Sequence, residues 1–199
     1  TSDEPLVVHL PGDLDNTHGT LNIAAKNWKL DARAVHNAAG TIAHQGRGVW
    51  DVQLQNTLDN TAGQLEAYGQ QTTFKVGELK NQTGTLQAYN KGSLGIEALA
   101  IDNTDGHLKS NANLSLKANL VNNTKGETAA VGSLSAVVAD NLQNSGGVFL
   151  GNEGVTIKAG GVENIAEGKI GSAKGDVAMA LSKPLHNEHG HVQAAKKLT

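Results

Sequence analysis

Cysteine is absent from this chain, and its absence excludes disulfide bonds and thiolate chemistry. The same absence is compatible with passage through an oxidising periplasm or with life outside a cell. Aromatic residues are also scarce, with two tryptophans, two tyrosines and two phenylalanines in 199 residues. A compact globule uses more of these bulky side chains to fill its centre. The composition therefore favours a thin, repetitive core of Leu, Val, Ile and Ala.

The chain also lacks an excess of positive charge, because its formal net charge is −3 at pH 7. Such a balance offers no long-range attraction for nucleic acid or anionic lipid. No apolar run approaches the roughly 20 residues that a bilayer-spanning helix needs. We therefore expect no nucleic-acid partner and no membrane insertion by this segment.

Glycine, by contrast, is abundant at 24 residues, and nine of the glycines mark a repeat. Each copy reads apolar, any residue, Asn, two residues, Gly, any residue, apolar, as in LDNTHGTL at 14–21 and IDNTDGHL at 101–108. The marker glycines are Gly19, Gly40, Gly63, Gly84, Gly106, Gly126, Gly147, Gly168 and Gly190. They are 21, 23, 21, 22, 20, 21, 21 and 22 residues apart, and a period of this length along the whole chain indicates a solenoid.

Within each copy, apolar residues alternate with polar ones, which predicts short strands with one inward face and no helical period. A large inward residue such as Leu86 is followed by a small one such as Ala88 two positions later. We therefore predict an all-β fold, a right-handed parallel β-helix of about nine coils with about 21 residues each. Stacking at about 4.8 Å per coil would make a rod of roughly 40 Å. The whole chain, 1–199, is predicted to be one β-helix segment, in which 1–13 belong to an incomplete preceding coil.

An asparagine precedes each marker glycine, and we expect these asparagines to form a ladder along the stack. They are Asn16, Asn37, Asn60, Asn81, Asn103, Asn123, Asn144, Asn164 and Asn187. Each amide can donate to one neighbouring coil and accept from the other, and Asn tolerates a left-handed bend. The glycine is expected to adopt a positive φ or to permit close passage of the chain.

Three places depart from the regular repeat. Asn164 lies four residues before its glycine, and the pair Asn122-Asn123 leaves the register open. Residues 41–56 are expected to be the least regular part, because QGRGVW at 45–50 replaces a clean alternation.

Units of the type Leu-Asp-Asn-Thr-x-Gly-x-Leu-x-Ala over residues 14–199 resemble the haemagglutinin repeats of filamentous-haemagglutinin-like exoproteins. These are passenger proteins of bacterial two-partner secretion, and they include adhesins, haemolysins and contact-dependent growth inhibition effectors. The resemblance implies a β-helix shaft exported from a Gram-negative cell through an outer-membrane partner, and hence a secreted or cell-surface location. The chain starts and stops within the pattern and lacks a signal core, so we interpret it as a piece of a longer protein.

Catalytic and metal-binding interpretations are weaker than structural ones. His186, His189 and His191 form the densest histidine cluster, yet they flank a turn where alternate side chains point to opposite faces. We therefore predict solvated turn histidines, with no metal site and no cofactor. His44 falls in the small inward column, where it is either half-buried or a mark of local irregularity. The column Asp15, Asp59 and Asp102 offers no adjacent acidic pair for hydrolytic chemistry, so we expect no enzyme.

Two functional hypotheses follow. The first is a structural shaft that projects a distal binding or toxin domain, with the secretion transporter as the partner of the parent protein. The alternative is an adhesive module in which the side of the β-helix contacts a receptor or glycan on a host or bacterial cell. Tyr68 and Tyr89 occupy equivalent positions in adjacent coils and are the candidate surface contact.

Overall fold

The computed structural model of the chain describes residues 4–199, and these residues contain strands and turns but no helix. All pairings between these strands are parallel, and each strand between the two terminal coils pairs with its counterpart one circuit earlier and one circuit later. The predicted all-β stack of parallel coils of about 21 residues, with about nine turns, is confirmed.

Each coil has three faces, and the first two belong to one sheet of 15 strands. The first face contains β1 (Leu6–His9), β4 (Trp28–Ala32), β7 (Val49–Leu54), β10 (Gln71–Lys75), β13 (Ser93–Glu97) and β22 (Val177–Leu181). The second contains β2 (Leu14–Asp15), β5 (Val35–His36), β8 (Thr57–Asp59), β11 (Glu78–Lys80), β14 (Ala100–Asp102) and β23 (Leu185–His186). In three coils one long strand covers both faces: β16 (Leu114–Asn122), β18 (Ser133–Gln143) and β20 (Gly154–Glu163).

The third face is a separate sheet of nine strands, one from each coil. Its strands are β3 (Thr20–Ile23), β6 (Thr41–His44), β9 (Gln64–Ala67), β12 (Thr85–Ala88), β15 (His107–Ser110), β17 (Glu127–Ala130), β19 (Val148–Gly151), β21 (Lys169–Ser172) and β24 (His191–Ala194). Every strand of this face begins directly after a marker glycine. The repeat in the sequence therefore coincides with the step from the turn into the third face.

The core is a narrow column of aliphatic side chains that runs through the stack. Leu65, Leu86 and Leu108 lie in register on the third face and are buried, and Leu79 faces them from the second face. Burial of one such side chain contributes about 1.5–3 kcal/mol. Because each coil supplies only a few of these residues, its stability depends on the coils above and below it.

Residues 41–56 are regular, which corrects the expectation from the sequence. Strand β6 pairs in register with β3 and β9, and β7 pairs in register with β4 and β10. The residues of β7 alternate between outward and buried, with Trp50, Val52 and Leu54 inside. The glycines at 46 and 48 form the corner between the two strands, so the break in the sequence pattern is a turn and not a distortion.

Candidate functional site: the asparagine ladder and its surroundings

The nine asparagines of the repeat lie in one column at the turn between the second and third faces. In each coil from Asn16 to Asn164 the Nδ2 group donates to the Oδ1 atom of the asparagine in the following coil, at 2.7 or 2.8 Å. Seven of these residues, from Asn37 to Asn164, are fully buried. A buried amide without partners would cost about 1–3 kcal/mol. The ladder avoids this cost because it gives each buried side-chain amide a hydrogen-bond partner inside the apolar core.

Two backbone carbonyls fix the orientation of each ladder amide from Asn16 to Asn144, and one carbonyl does so for Asn164 and for Asn187. Asn81 illustrates the pattern, because its Nδ2 also lies 3.2 Å from the carbonyl of Gly84 and 3.1 Å from the carbonyl of His107 in the next coil. Carbonyl oxygens can only accept hydrogen bonds. The nitrogen of the amide must therefore face these two carbonyls, which leaves Oδ1 to accept from Asn60 in the preceding coil.

The marker glycines allow close passage of the chain and do not adopt a positive φ. A β-carbon on Gly84 would collide with the carbonyl oxygen of Asn60 and would lie 2.8 Å from Oδ1 of Asn81. The other marker glycines face the ladder in the same way. Glycine is required here because the backbone of the turn touches the asparagine of its own coil and, beyond the first coil, that of the coil before it.

The left-handed residue of each turn is the one before the marker glycine. The expectation that the asparagine adopts this conformation is therefore wrong, and of the two alternatives for the glycine the structure shows close passage. The non-glycine residues with positive φ at this position are His18, Ala39, Ala62, Thr83, Asp105, Lys125, Glu167 and His189. In the coil of Gly147 the position is Gly146, with φ of 63°. The turn is therefore strained in most coils, because a left-handed conformation is unfavourable for residues with a β-carbon.

The structure resolves the two irregular copies of the motif. Asn123, and not Asn122, occupies the ladder, while Asn122 bonds to the hydroxyl oxygen of Thr104 on the outer surface at 2.9 Å. The longer spacing after Asn164 is absorbed by two consecutive residues with positive φ, Ala166 and Glu167. Both coils therefore keep their asparagine in the column.

The acidic residues of the repeat serve the same turn. Asp59 and Asp102 accept hydrogen bonds from the backbone and hydroxyl groups of the threonine two residues later, with distances between 2.6 and 3.1 Å. Asp15 accepts a bond from the backbone N–H of Thr17 in the same way. Such side-chain hydrogen bonds stabilise a local bend. The three aspartates therefore stabilise the turn that precedes the marker glycine.

Tyr68 and Tyr89 stack on each other at a corner of the rod. Their ring centroids are 4.7 Å apart with an angle of 10° between the planes, and both side chains are half-buried. The hydroxyl of Tyr68 donates to the carboxylate of Glu66 at 3.1 Å. Partial burial and the negative charge of Glu66 raise the pKa of both tyrosines. A shallow cleft beside the pair is lined by Arg47, Tyr68, Gly69, Gln70, Asn90 and Lys91.

The exposed histidines near the far end of the stack do not converge. His191 contacts Glu167 at 3.1 Å, and His189 lies 3.9 Å from Glu188. Within residues 4–199, no group of three or more His, Cys, Asp or Glu side chains is arranged to hold a metal ion. The structure places these histidines at the surface of a turn and of the strand that follows it.

Ion pairs on the outer surface connect neighbouring coils without forming a cluster. The hydrogen bond and charge of Arg33 lower the pKa of Asp13 to about 2, with a smaller contribution from His36. The Lys117 ammonium lowers the pKa of Glu97 in the same way at 2.8 Å. Exposed pairs of this kind contribute little to stability, so these contacts describe a solvated surface.

An aromatic cluster inside the first coils was not found by reasoning from the sequence. Trp28 and Trp50 pair in register and stack with centroids 5.1 Å apart, and Phe74 packs edge-on against Trp50. His44 is fully buried beside both indoles, with ring centroids 6.3 and 6.0 Å away. Neither alternative proposed for His44 is correct, since it is neither half-buried nor a mark of irregularity. Spacing could not show the cluster, because His44 and the tryptophans belong to different faces.

The cluster contains polar atoms that have no partner. Nε2 of His44 lies 3.0 Å from the carbonyl of Ala25, whereas Nδ1 of His44 and Nε1 of both tryptophans have no hydrogen-bond partner among residues 4–199. Burial lowers the pKa of His44, and the hydrogen bond to Ala25 acts in the opposite direction with a smaller effect. The imidazole is therefore held in its neutral form, with the proton on Nε2 where a carbonyl can accept it.

None of the residues that the structure describes forms a helix long and apolar enough to cross a membrane. No protein-family model, curated protein or solved structure matches the chain.

Proposed function

We propose that this chain is a shaft segment of a large bacterial exoprotein that projects a distal binding or toxin domain away from the cell. The observation that carries the proposal is the continuous asparagine ladder, which joins every coil from Asn16 to Asn187 without a gap. A rod whose core, strands and ladder all repeat in register gains length with each added coil. Such a rod would hold a distal domain at a distance set by the number of stacked coils.

The likeness of the repeats to those of filamentous-haemagglutinin-like exoproteins supports the rest of the proposal. On that basis the parent is a haemagglutinin, adhesin or contact-dependent growth inhibition effector, secreted through an outer-membrane two-partner transporter and displayed at the surface of a Gram-negative cell. The absence of cysteine is compatible with that route, because folding outside the cell then needs no disulfide chemistry.

Binding of the isolated segment to cells tests the shaft. Fluorescently labelled segment is incubated with epithelial cells and with Gram-negative bacteria, and the full-length parent is the positive control. We expect saturable binding by the parent and none by the segment. Saturable binding by the segment to either cell type would contradict a purely passive shaft.

A second candidate is an adhesive module, and the stacked tyrosine pair favours it. Stacked rings at a corner, next to the cationic side chains of Arg47 and Lys91, present apolar and polar groups together. Sites that bind sugars and proteins often combine such groups. If the segment binds cells, Tyr68→Ala with Tyr89→Ala should abolish that binding, while Phe149→Leu, a change in the core of a distant coil, should leave it intact.

A further inference from the structure

His44 occupies a position that no other repeat uses for a titratable group. The corresponding inward residues in the next two coils are Ala67 and Ala88, both buried. The imidazole replaces such a small side chain and fills the space beside Trp28 and Trp50. Among the described residues, the one hydrogen bond of the imidazole joins Nε2 to the carbonyl of Ala25.

In the part of the chain that the structure describes, no charged side chain shares the interior with this imidazole. The elements packed against it carry Lys29 and Asp31 on β4, Asp51 on β7 and Glu66 on β9, and all four alternate with inward residues and are partly or fully exposed. The adjoining turns carry Lys26 and Arg47, which are also outside the core. A proton on Nδ1 would therefore create a cation among aromatic rings with no carboxylate beside it.

A cation in that position destabilises the closed fold, and opening of the corner that follows His44 would expose the imidazole to solvent. Transfer of an unpaired charge into an apolar interior is strongly unfavourable. The segment that follows His44 is the corner 45–48, which contains Gly46 and Gly48. Beyond the strand pairings, four backbone bonds hold residues 44–48 to the neighbouring coils. Gln45 N–H donates to the carbonyl of Ile23 and Gly48 N–H to that of Lys26, while the amides of Tyr68 and Gln70 donate to the carbonyls of His44 and Gly48.

We propose that His44 makes this corner an acid-labile point of the rod: protonation on Nδ1 expels the imidazole from the core, opens residues 44–48 and leaves the other coils folded. The sign follows from linkage. A histidine whose charged form is disfavoured in the fold takes up its proton when the corner opens. The stability of the closed corner relative to the open one is therefore unaffected above the ordinary histidine pKa of about 6.5, and it decreases progressively as the pH falls below that value.

The opening also changes the outer surface at the tyrosine corner. The amide of Tyr68 donates to the carbonyl of His44 at 3.0 Å, and Arg47 lies between the two glycines of the corner. Loss of these contacts would remove Arg47 from the cleft beside Tyr68. Acid therefore acts on one defined surface of the rod and leaves its length unchanged.

The tryptophans provide a local probe, because the chain contains only two and both belong to the cluster. Indole emission of the whole 199-residue chain is followed from about pH 7.5 to about pH 5, with far-UV circular dichroism as the measure of the remaining strands. Amide hydrogen exchange at Tyr68 and Gln45 over the same range reports the opening itself. One proton taken up on opening increases the exchange rate by at most about tenfold per pH unit, after correction for intrinsic exchange.

We expect the emission to change and the exchange at Tyr68 to accelerate below about pH 6.5, while the strand signal stays constant. His44→Leu, which fills the site without a titratable group, should remove both pH effects. His44→Ala, with the residue that neighbouring coils use, is the second variant if the leucine does not fit. His107→Gln, at an exposed histidine, is the matched control and should behave as wild type.

Three results would overturn the proposal. One is an emission and exchange profile that persists unchanged in both His44 variants, which would assign the pH effect to another group. Another is a wild-type chain whose Tyr68 exchange, corrected in the same way, does not respond to acid, which would mean that the imidazole stays buried. Loss of the strand signal together with the emission would also contradict it, because the opening would then be global.

Discussion

At the scale of single residues, the turn before each marker glycine requires a left-handed backbone conformation, which is unfavourable for residues with a β-carbon. Its left-handed residue is a glycine in one coil, Gly146, and carries a β-carbon in the others. Thr83, with φ of 53°, is the least suited, because a β-branched side chain is crowded in this region. The strain of this conformation is tolerated because the neighbouring ladder and strands hold the turn in place.

We expect Thr83→Gly to stabilise the chain by about 0.5–1 kcal/mol, since relief of the left-handed strain exceeds the added flexibility of the unfolded chain. The matched change is Gly146→Ala, which introduces the same strain where the added β-carbon meets only ordinary contacts at 3.4 Å or more. It should destabilise the chain by a similar amount. Urea unfolding followed by circular dichroism measures both, and the same sign for the two changes would refute the argument.

The ladder makes a second prediction at this scale. Asn81→Leu or Asn103→Leu removes buried donors and acceptors and leaves amide partners unsatisfied in two neighbouring coils, so each should destabilise the chain by about 3 kcal/mol or more. Asn119→Leu is the control, because Asn119 lies outside the ladder and is exposed. Its cost should stay below about 1 kcal/mol. Unchanged stability in both buried variants would remove the ladder from the explanation of the fold.

At the scale of the element, the contact between a marker glycine and the ladder is specific to the turn. Gly84→Ala places a methyl group against the carbonyl of Asn60, and it should destabilise the chain by about 2–4 kcal/mol. Gly95→Ala lies on an open strand, where the nearest atom to the new methyl is 3.4 Å away. It should be neutral or slightly stabilising. Thermal unfolding of the two variants distinguishes a steric requirement at the turn from a general intolerance of glycine replacement.

The same turn shows which features of the fold could be predicted from the sequence and which could not. The Asn and Gly columns and the alternating Leu residues were visible because each is required in every coil by a side-chain hydrogen bond, a close contact or burial. The left-handed position was not visible, since His18, Ala39 and Thr83 share no chemistry and the backbone alone imposes their conformation. The cluster of His44 with Trp28 and Trp50 was hidden for another reason, because its members meet only once the three faces close around the core.

At the scale of the whole molecule, coils behave as interchangeable units. Deletion of residues 82–103 removes one circuit and brings Thr104 directly after Asn81, so that Asn81 can reach Asn123 in a continuous ladder. We expect this chain to fold and to be shorter by about 5 Å, the spacing of one strand. Small-angle scattering and circular dichroism measure length and strand content.

Deletion of only residues 82–92 is the control for register. It removes about half a circuit and would bring inward residues of one face against outward residues of another. This chain should lose cooperative unfolding. Equal behaviour of the two deletions would argue that the coil is not the unit of assembly.

The ladder amides also give the rod an electrical direction. Backbone hydrogen bonds between coils point both ways, as when Asn16 N–H donates forward to His36 and Thr41 N–H donates backward to Gly19, so their dipoles largely cancel. The asparagine amides do not alternate: each one from Asn16 to Asn164 donates toward the later coil. Eight aligned links sum like the peptide dipoles of an α-helix, with the negative pole at Asn16 and the positive pole at Asn187. Two such rods could therefore continue one another through this column only head to tail.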